Sequence, residues 1–189
     1  MTALDRQRVP PGQRLVNDFP VLHAGSVARV ERASWRLTIS GLVEPRLTLD
    51  WDRLTGLPAT EQVCDIHCVT GWSKLDTAWK GVRVAHLLEG LQILPEARHV
   101  VVHAVDGWTT NLPLDELLRD DVLVAYEYDG RPLSAEHGGP VRLLVPRLYF
   151  WKSAKWLGSI EFTPDERLGF WETRGYHALG DPWLEQRYS

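Results

Sequence analysis

The residues with the most chemical potential are crowded into two short stretches. In the first, Val63-Cys64-Asp65-Ile66-His67-Cys68-Val69-Thr70-Gly71-Trp72, an apolar run ends on a thiol and is broken by Thr70-Gly71. Three chemistries are open to Cys68: a soft metal ligand, a redox thiol, or a small buried hydrophobe, the commonest fate of a free cysteine. A structural zinc site wants four ligands, and Cys64, His67 and Cys68 have no second cluster of matching spacing, so zinc is not expected. A Cys64–Cys68 dithiol lacks the two-residue spacing of thiol oxidoreductases. A nucleophilic Cys–His pair has seven histidines to draw on, but no hydrolase motif surrounds the thiol.

The second stretch runs from His137 to Lys155 and carries Arg142, Arg147, Lys152 and Lys155 with no carboxylate, although the chain as a whole is acidic. Arg142 lies inside an apolar segment, and arginine is seldom fully buried without an anion. Gly138-Gly139 permits close backbone approach to a ligand. One reading is a phosphate pocket, with Arg142 as a bidentate fork and Lys155 as a point charge. The other is a solvated face, or ion pairs with carboxylates such as Glu136 and Glu161.

The elements that position these residues are mostly strands. Period-two alternation predicts strands over 35–41 and 47–50, paired as a hairpin, then a short helix over 50–57. The cysteine stretch is a short buried strand whose alternation puts Cys64, Ile66 and Cys68 on one face. Val84, Leu87, Leu88 and Leu91 have helical spacing and predict an amphipathic helix over 82–91. Asp106-Gly107 and Asp129-Gly130 are hairpin turn signals, the first between strands at 100–104 and 108–112, the second after a strand at 122–126. A short helix is expected over 114–118, and strands over 141–145 and 156–162. Residues 1–14 read as a loose arm, 15–164 as one domain and 165–189 as an aromatic, proline-containing tail that wraps the surface.

At 189 residues the chain can bury a sizeable core without staples, and its net charge of −4 gives no broad basic surface for nucleic acid. No run approaches the ~20 apolar residues of a membrane span, so no stable membrane insertion is expected. Trp35, Trp72, Trp79 and Trp156 fall where core anchors would, and His103 and His86 read as structural histidines. His23, beside Ala24-Gly25, faces a possible ligand only as a lone loop histidine.

Cys68-Val69-Thr70-Gly71-Trp72-Ser73, followed by Trp79-Lys80-Gly81-Val82, resembles the molybdopterin-binding domain of sulfite oxidases and of bacterial methionine sulfoxide reductase catalytic subunits. The block His137-Gly138-Gly139-Pro140-Val141-Arg142, then Pro146 and Lys155-Trp156, is similar to the same family, and 149–155 looks more like its reductase branch. The resemblance extends over roughly 17–163. It implies an α+β domain of mixed sheet with a few helices, and a molybdenum–molybdopterin cofactor. Cys68 would be the thiolate on the metal and the catalytic residue. Arg142, His137, Lys152, Ser153 and Lys155 would hold the pterin and its phosphate, and Asn17 in Asn17-Asp18-Phe19 would touch the cofactor. Cys64 gains no role.

The reaction so implied is oxygen-atom transfer on a small substrate, with sulfur compounds among the candidates. Where sulfite oxidases carry an arginine-rich segment, this chain has Lys74, Asp76 and Thr77, which argues against sulfite itself. With no twin-arginine signal and no length for haem or dimerisation domains, a stand-alone cytoplasmic enzyme with a separate electron-transfer partner is expected. The alternative class is a non-catalytic binding module that keeps the pocket for a pterin or another anion.

Overall fold

The computed structural model describes residues 6–189. Ten residues before the Cys68 turn form one long strand and twelve after it form the next. They are β5 (Ala59–Cys68) and β6 (Trp72–Arg83), joined through Gly71 at φ +89°. Only a residue without a Cβ takes that turn cheaply. Cys68 is therefore the last residue of its strand, as expected.

β5 pairs along one edge of β6. The other edge is shared by β1 (Arg14–Leu15), parallel to it at Trp72 and Ser73, and by β10 (Leu123–Tyr128), antiparallel further along. β10 also pairs with β11 (Arg131–Pro132) across the Asp129-Gly130 turn and with β12 (Arg142–Leu144), completing a six-stranded sheet. A five-stranded sheet has the order β4 (Leu47–Asp50), β2 (Arg36–Gly41), β13 (Leu157–Thr163), β8 (His99–Ala104), β9 (Thr109–Pro113). β2 and β13 are parallel; the other pairs are antiparallel. The small pair β3 (Val43–Glu44) and β7 (Gln92–Ile93) stands apart. The three helices lying wholly within the described residues have at most five residues each, and the α+β reading holds. Among the described residues, no helix is long and apolar enough to cross a membrane.

Around β10 and β12 both faces of the six-stranded sheet are covered with apolar groups, while the start of β5 and the short β11 are open to water. Val124, Tyr126 and Leu143 join the main core, with Trp35, Leu37, Ile39, Val100 and Phe162 of the other sheet. Leu123, Ala125 and Leu144 point the opposite way, to a second cluster with Ile66, Cys68, Trp72, Trp79 and Phe150. Cys64 packs against that cluster too, so the two thiols share a face, as the alternation predicts.

Two helix expectations need correction. Over 82–91 only Val84–Leu87 is helical (α2), because Val82 and Arg83 stay in β6, paired with Val124 and Leu123. The apolar spacing is met by one turn that buries Val84, Leu87 and Leu88. Over 50–57 the helix is Trp51–Thr55 (α1), capped by Asp50, whose carboxylate accepts from Arg53 N at 2.9 Å. α3 (Leu114–Leu117) lies where expected.

At the ends of the chain, the first five residues of the expected arm lie outside the described residues. Arg8 bonds Asp65 and Asp76 across the β6 bulge, where the register slips between Cys64–Thr77 and Ile66–Lys74. After β13 the chain runs back over the sheets with a 3-10 turn at Glu172–Arg174 and a bridge between Tyr176 and Tyr188. Its root is an ion pair wholly out of water, Lys152 Nζ to Glu172 Oε1 at 2.6 Å. The same Oε1 accepts from Thr110 Oγ1 at 2.7 Å and Trp151 Nε1 at 2.9 Å. Truncating one partner of such a pair strands the other charge, so Glu172→Ala is expected to cost about 3–5 kcal/mol in urea unfolding. The apolar double replacement Lys152→Met/Glu172→Leu is expected to recover most of that loss.

Candidate functional site

A cavity of about 310 Å³ opens beside the Cys68 turn. Its lining brings together two cations, Arg142 and Lys155, the loop carrying Phe19, Leu22 and His23, and the aromatic residues Trp108, Trp151, Trp171 and Tyr176. Phe170 N donates to Thr109 O at 2.8 Å, which sets Trp171 beside the β8–β9 hairpin that carries Trp108. Trp151 and Trp171 both pack on Tyr176, at 5.3 and 5.1 Å between ring centroids.

Cys68 lines the cavity and is 8% exposed. Its Sγ accepts from Thr70 Oγ1 at 3.1 Å. Its carbonyl takes Gln13 Nε2 at 3.1 Å and Gly71 N at 3.0 Å. Burial pushes the thiol pKa up; donation from Thr70 and the charges of Arg187 and Lys155 oppose it. Cys64 is also pushed up by burial, to about 11, and its Sγ rests 3.8 Å from Thr77 Oγ1 outside the cavity lining. It behaves as a half-buried small hydrophobe.

The basic run divides in two. Arg147 pairs with Glu116 and Asp181, and Lys152 Nζ is surrounded by Glu172 Oε1, Asn111 O at 2.8 Å and Ala178 O. An ammonium has three protons, so Lys152, expected among the cofactor-holding residues, has none left for a phosphate. Arg142 and Lys155 instead line the cavity and bond main-chain carbonyls. Arg142, 1% exposed, donates to His137 O at 2.8 Å and Ser153 O at 2.6 Å, with its guanidinium 4.2 Å above the Phe150 ring. Burial lowers its pKa. Lys155 Nζ donates to Leu22 O at 2.8 Å; burial and the neighbouring Arg142 charge lower its pKa to about 8.

The other expected site residues are placed as follows. Ser153 lines the cavity while its hydroxyl accepts from Val145 N at 2.9 Å. His137 lies outside the lining, stacked on Phe19 at 3.9 Å with Nδ1 buried and unpartnered. Asn17 is exposed, and its carbonyl accepts from Lys74 Nζ at 2.6 Å. Gly138 and Gly139 approach the chain itself: an added Cβ would meet Lys155 at 2.9 Å and Leu133 O at 2.2 Å. Sequence reasoning missed Trp171 and Tyr176, whose segment has no periodicity, and Trp108, which it read only as the start of a strand. Phe19 lies in the Asn17-Asp18-Phe19 segment, where the family resemblance points to the asparagine instead.

Residues 24–171 match the family described as the oxidoreductase molybdopterin binding domain. The chain belongs to this family. Its cofactor is accordingly molybdopterin, as the motifs imply. The chain is 49% identical over 183 residues to YuiH of Bacillus subtilis, described as an uncharacterized oxidoreductase, covering 96% of this chain and 92% of that one. It is 28% identical over 171 residues to the protein-methionine-sulfoxide reductase catalytic subunit MsrP of Campylobacter jejuni, covering 79% of this chain and 57% of the relative. Human mitochondrial sulfite oxidase is 33% identical over 111 residues, or 53% of this chain and 20% of that one. The crystal structure of the sulfane dehydrogenase SoxCD from Paracoccus pantotrophus shares the fold, with a TM-score of 0.68 at 22% identity over 76% of this chain and 41% of that chain.

The residues present fit the family's cofactor. Among the described residues, Arg142 is a buried cation without a carboxylate partner, and Trp72 Nε1 in the cavity wall is buried with no acceptor. Both call for an anionic, acceptor-rich ligand. No group of three His, Cys, Asp or Glu side chains suited to a metal occurs among the described residues. A metal at Cys68 would draw its further ligands from outside these side chains, and thiolate suits a soft metal.

His137 gives the site a pH signature. Burial, then the Arg142 and Lys155 charges, lower its pKa from 6.5 to about 4. Between those values the unfolded chain binds more protons than the folded one. The stability this contributes is complete above pH 6.5 and is lost as pH falls toward 4. His67, lowered to about 4 by burial, adds to the same limb. In cofactor-free protein the thermal midpoint is expected to drop across that interval, and less steeply in His137→Gln.

Proposed function

We propose that this chain is a molybdenum–molybdopterin oxidoreductase that transfers an oxygen atom to or from a small substrate, with sulfur compounds the first class to screen. The observation that carries the reading is a single cavity containing one thiol, Cys68, and two cations that have no carboxylate partner among the described residues, Arg142 and Lys155. When bound, the cofactor supplies two-electron redox chemistry and the metal on which oxygen is exchanged.

The protein's own residues hold and orient. Cys68 provides the thiolate from a strand end fixed by Gln13 and Gly71, while Thr70 stabilises its charge through the hydroxyl donation. Arg142 and Lys155 supply positive potential for the pterin phosphate, and Trp72 Nε1 a free donor. The aromatic residues of the lining, Trp108, Trp171 and Tyr176, exclude water from the space in front of Cys68 and disfavour a doubly charged anion such as sulfite. Two free cysteines support a reducing compartment, and we place the protein in the cytoplasm, drawing on a separate electron-transfer partner.

The test is metal and pterin analysis of protein made in a molybdenum-replete host. Wild type is expected to hold both near stoichiometrically and Cys68→Ser to lose molybdenum while keeping pterin. Arg142→Ala is expected to lose pterin, with affinity lower by the ~1.5–3 kcal/mol of a charged hydrogen bond. Pterin bound equally well without Arg142 would refute the pocket assignment. Full cofactor without turnover across a screen of sulfoxides, N-oxides and sulfur oxyanions would leave a binding module.

A further inference from the structure

We propose that Arg187, beyond the family-matched residues 24–171, is a positioning residue for the Cys68 thiolate. The inference rests on the reading of Cys68 as the metal ligand. Arg187 Nη1 donates to Val69 O, the carbonyl next along from the thiol residue, and Nη2 reaches Gly12 O at 3.4 Å. Its guanidinium carbon stands 5.2 Å over the Tyr149 ring. The two carbonyls that follow the Cys68 side chain are thus held from opposite ends of the protein. Gln13 of the N-terminal arm takes Cys68 O at 3.1 Å, and Arg187 of the C-terminal tail takes Val69 O.

The tail is built to keep Arg187 in that place. His177 N donates to Arg187 O at 3.2 Å, Ser189 N to Gly175 O at 3.0 Å and Gln186 N to Asp181 O at 3.0 Å, and Tyr176 packs on Tyr188 with ring centroids 5.3 Å apart. This closed loop is rooted on the buried Lys152–Glu172 pair. Elsewhere Val69 is part of a turn of three residues between strands, with Thr70 exposed. Without Arg187 the peptide after Cys68 loses its one side-chain anchor on that carbonyl among the described hydrogen bonds, and the thiolate loses its fixed approach to the cavity. Misplacement of a reacting group by about 1 Å is costly in such sites.

The experiment uses holoenzyme and two readouts besides turnover: molybdenum and pterin per protein, and the thiolate-to-metal charge-transfer absorption of the oxidised form. Arg187→Met keeps the apolar stem over Tyr149 and removes every donor. It is expected to retain pterin, to hold molybdenum roughly tenfold less tightly, as for one lost charged hydrogen bond, and to displace the charge-transfer band. Arg187→Lys is expected to restore the band toward wild type. A Met variant with wild-type band and molybdenum content overturns the proposal. If that variant does not fold by thermal melting, Arg187→Gln decides, with its shorter side chain: a displaced band supports the assignment and a wild-type band ends it. Cys68→Ser distinguishes the underlying reading, since molybdenum retained there with an unchanged band removes Cys68 as ligand whatever Arg187 does.

Discussion

The pocket depends on one ion that has left water without meeting a counter-ion. Arg142 gives its donors to the carbonyls of His137 and Ser153 and lies over Phe150. Carbonyl dipoles satisfy its hydrogen bonds without cancelling its charge, so the desolvation cost is only partly offset within the chain. The same contacts tie the loop at 137–140 to the loop at 150–156, so the two ends of the basic run cannot move independently. An anion entering the cavity would complete what the fold leaves open, next to Lys155, whose ammonium donates to the carbonyls of Leu22 and Glu136.

The six-stranded sheet is the platform for this arrangement because around β10 and β12 it is apolar on both sides. Its inner face belongs to the main core and its outer face to the aromatic cluster around Trp72, Trp79 and Phe150. A sheet with one wet face would leave Cys68 in solvent. Here the thiol is at a strand end yet largely out of water, which is why burial dominates its acidity and why neighbouring positive charge has an effect.

Much of the sheet structure was legible, and the reasons it was not elsewhere are specific. Asp106-Gly107 and Asp129-Gly130 announced their hairpins because few residue pairs take those turns. β6 was hidden because its inward positions include Ser73 and Thr77, polar residues satisfied by His67 and by Cys64 O, which spoil the alternation. The helix over 82–91 shrank to one turn because pairing with β10 claims its first two residues. In the basic run, the partners that separate Arg147 and Lys152 from Arg142 and Lys155 are Glu116, Asp181 and Glu172. None lies within the run, so spacing alone left ion pair and anion pocket equally open.

The parallel pairing of β2 with β13, with Thr38 beside Ser159, has a bearing on how the protein is made. A nascent chain leaving the ribosome can close its hairpins early, but the five-stranded sheet is missing its middle strand until residues 157–163 have emerged. Trp171 and Tyr176, which wall the cavity, come later still. The cavity is therefore walled only once residue 176 has been made, beyond the family-matched span 24–171.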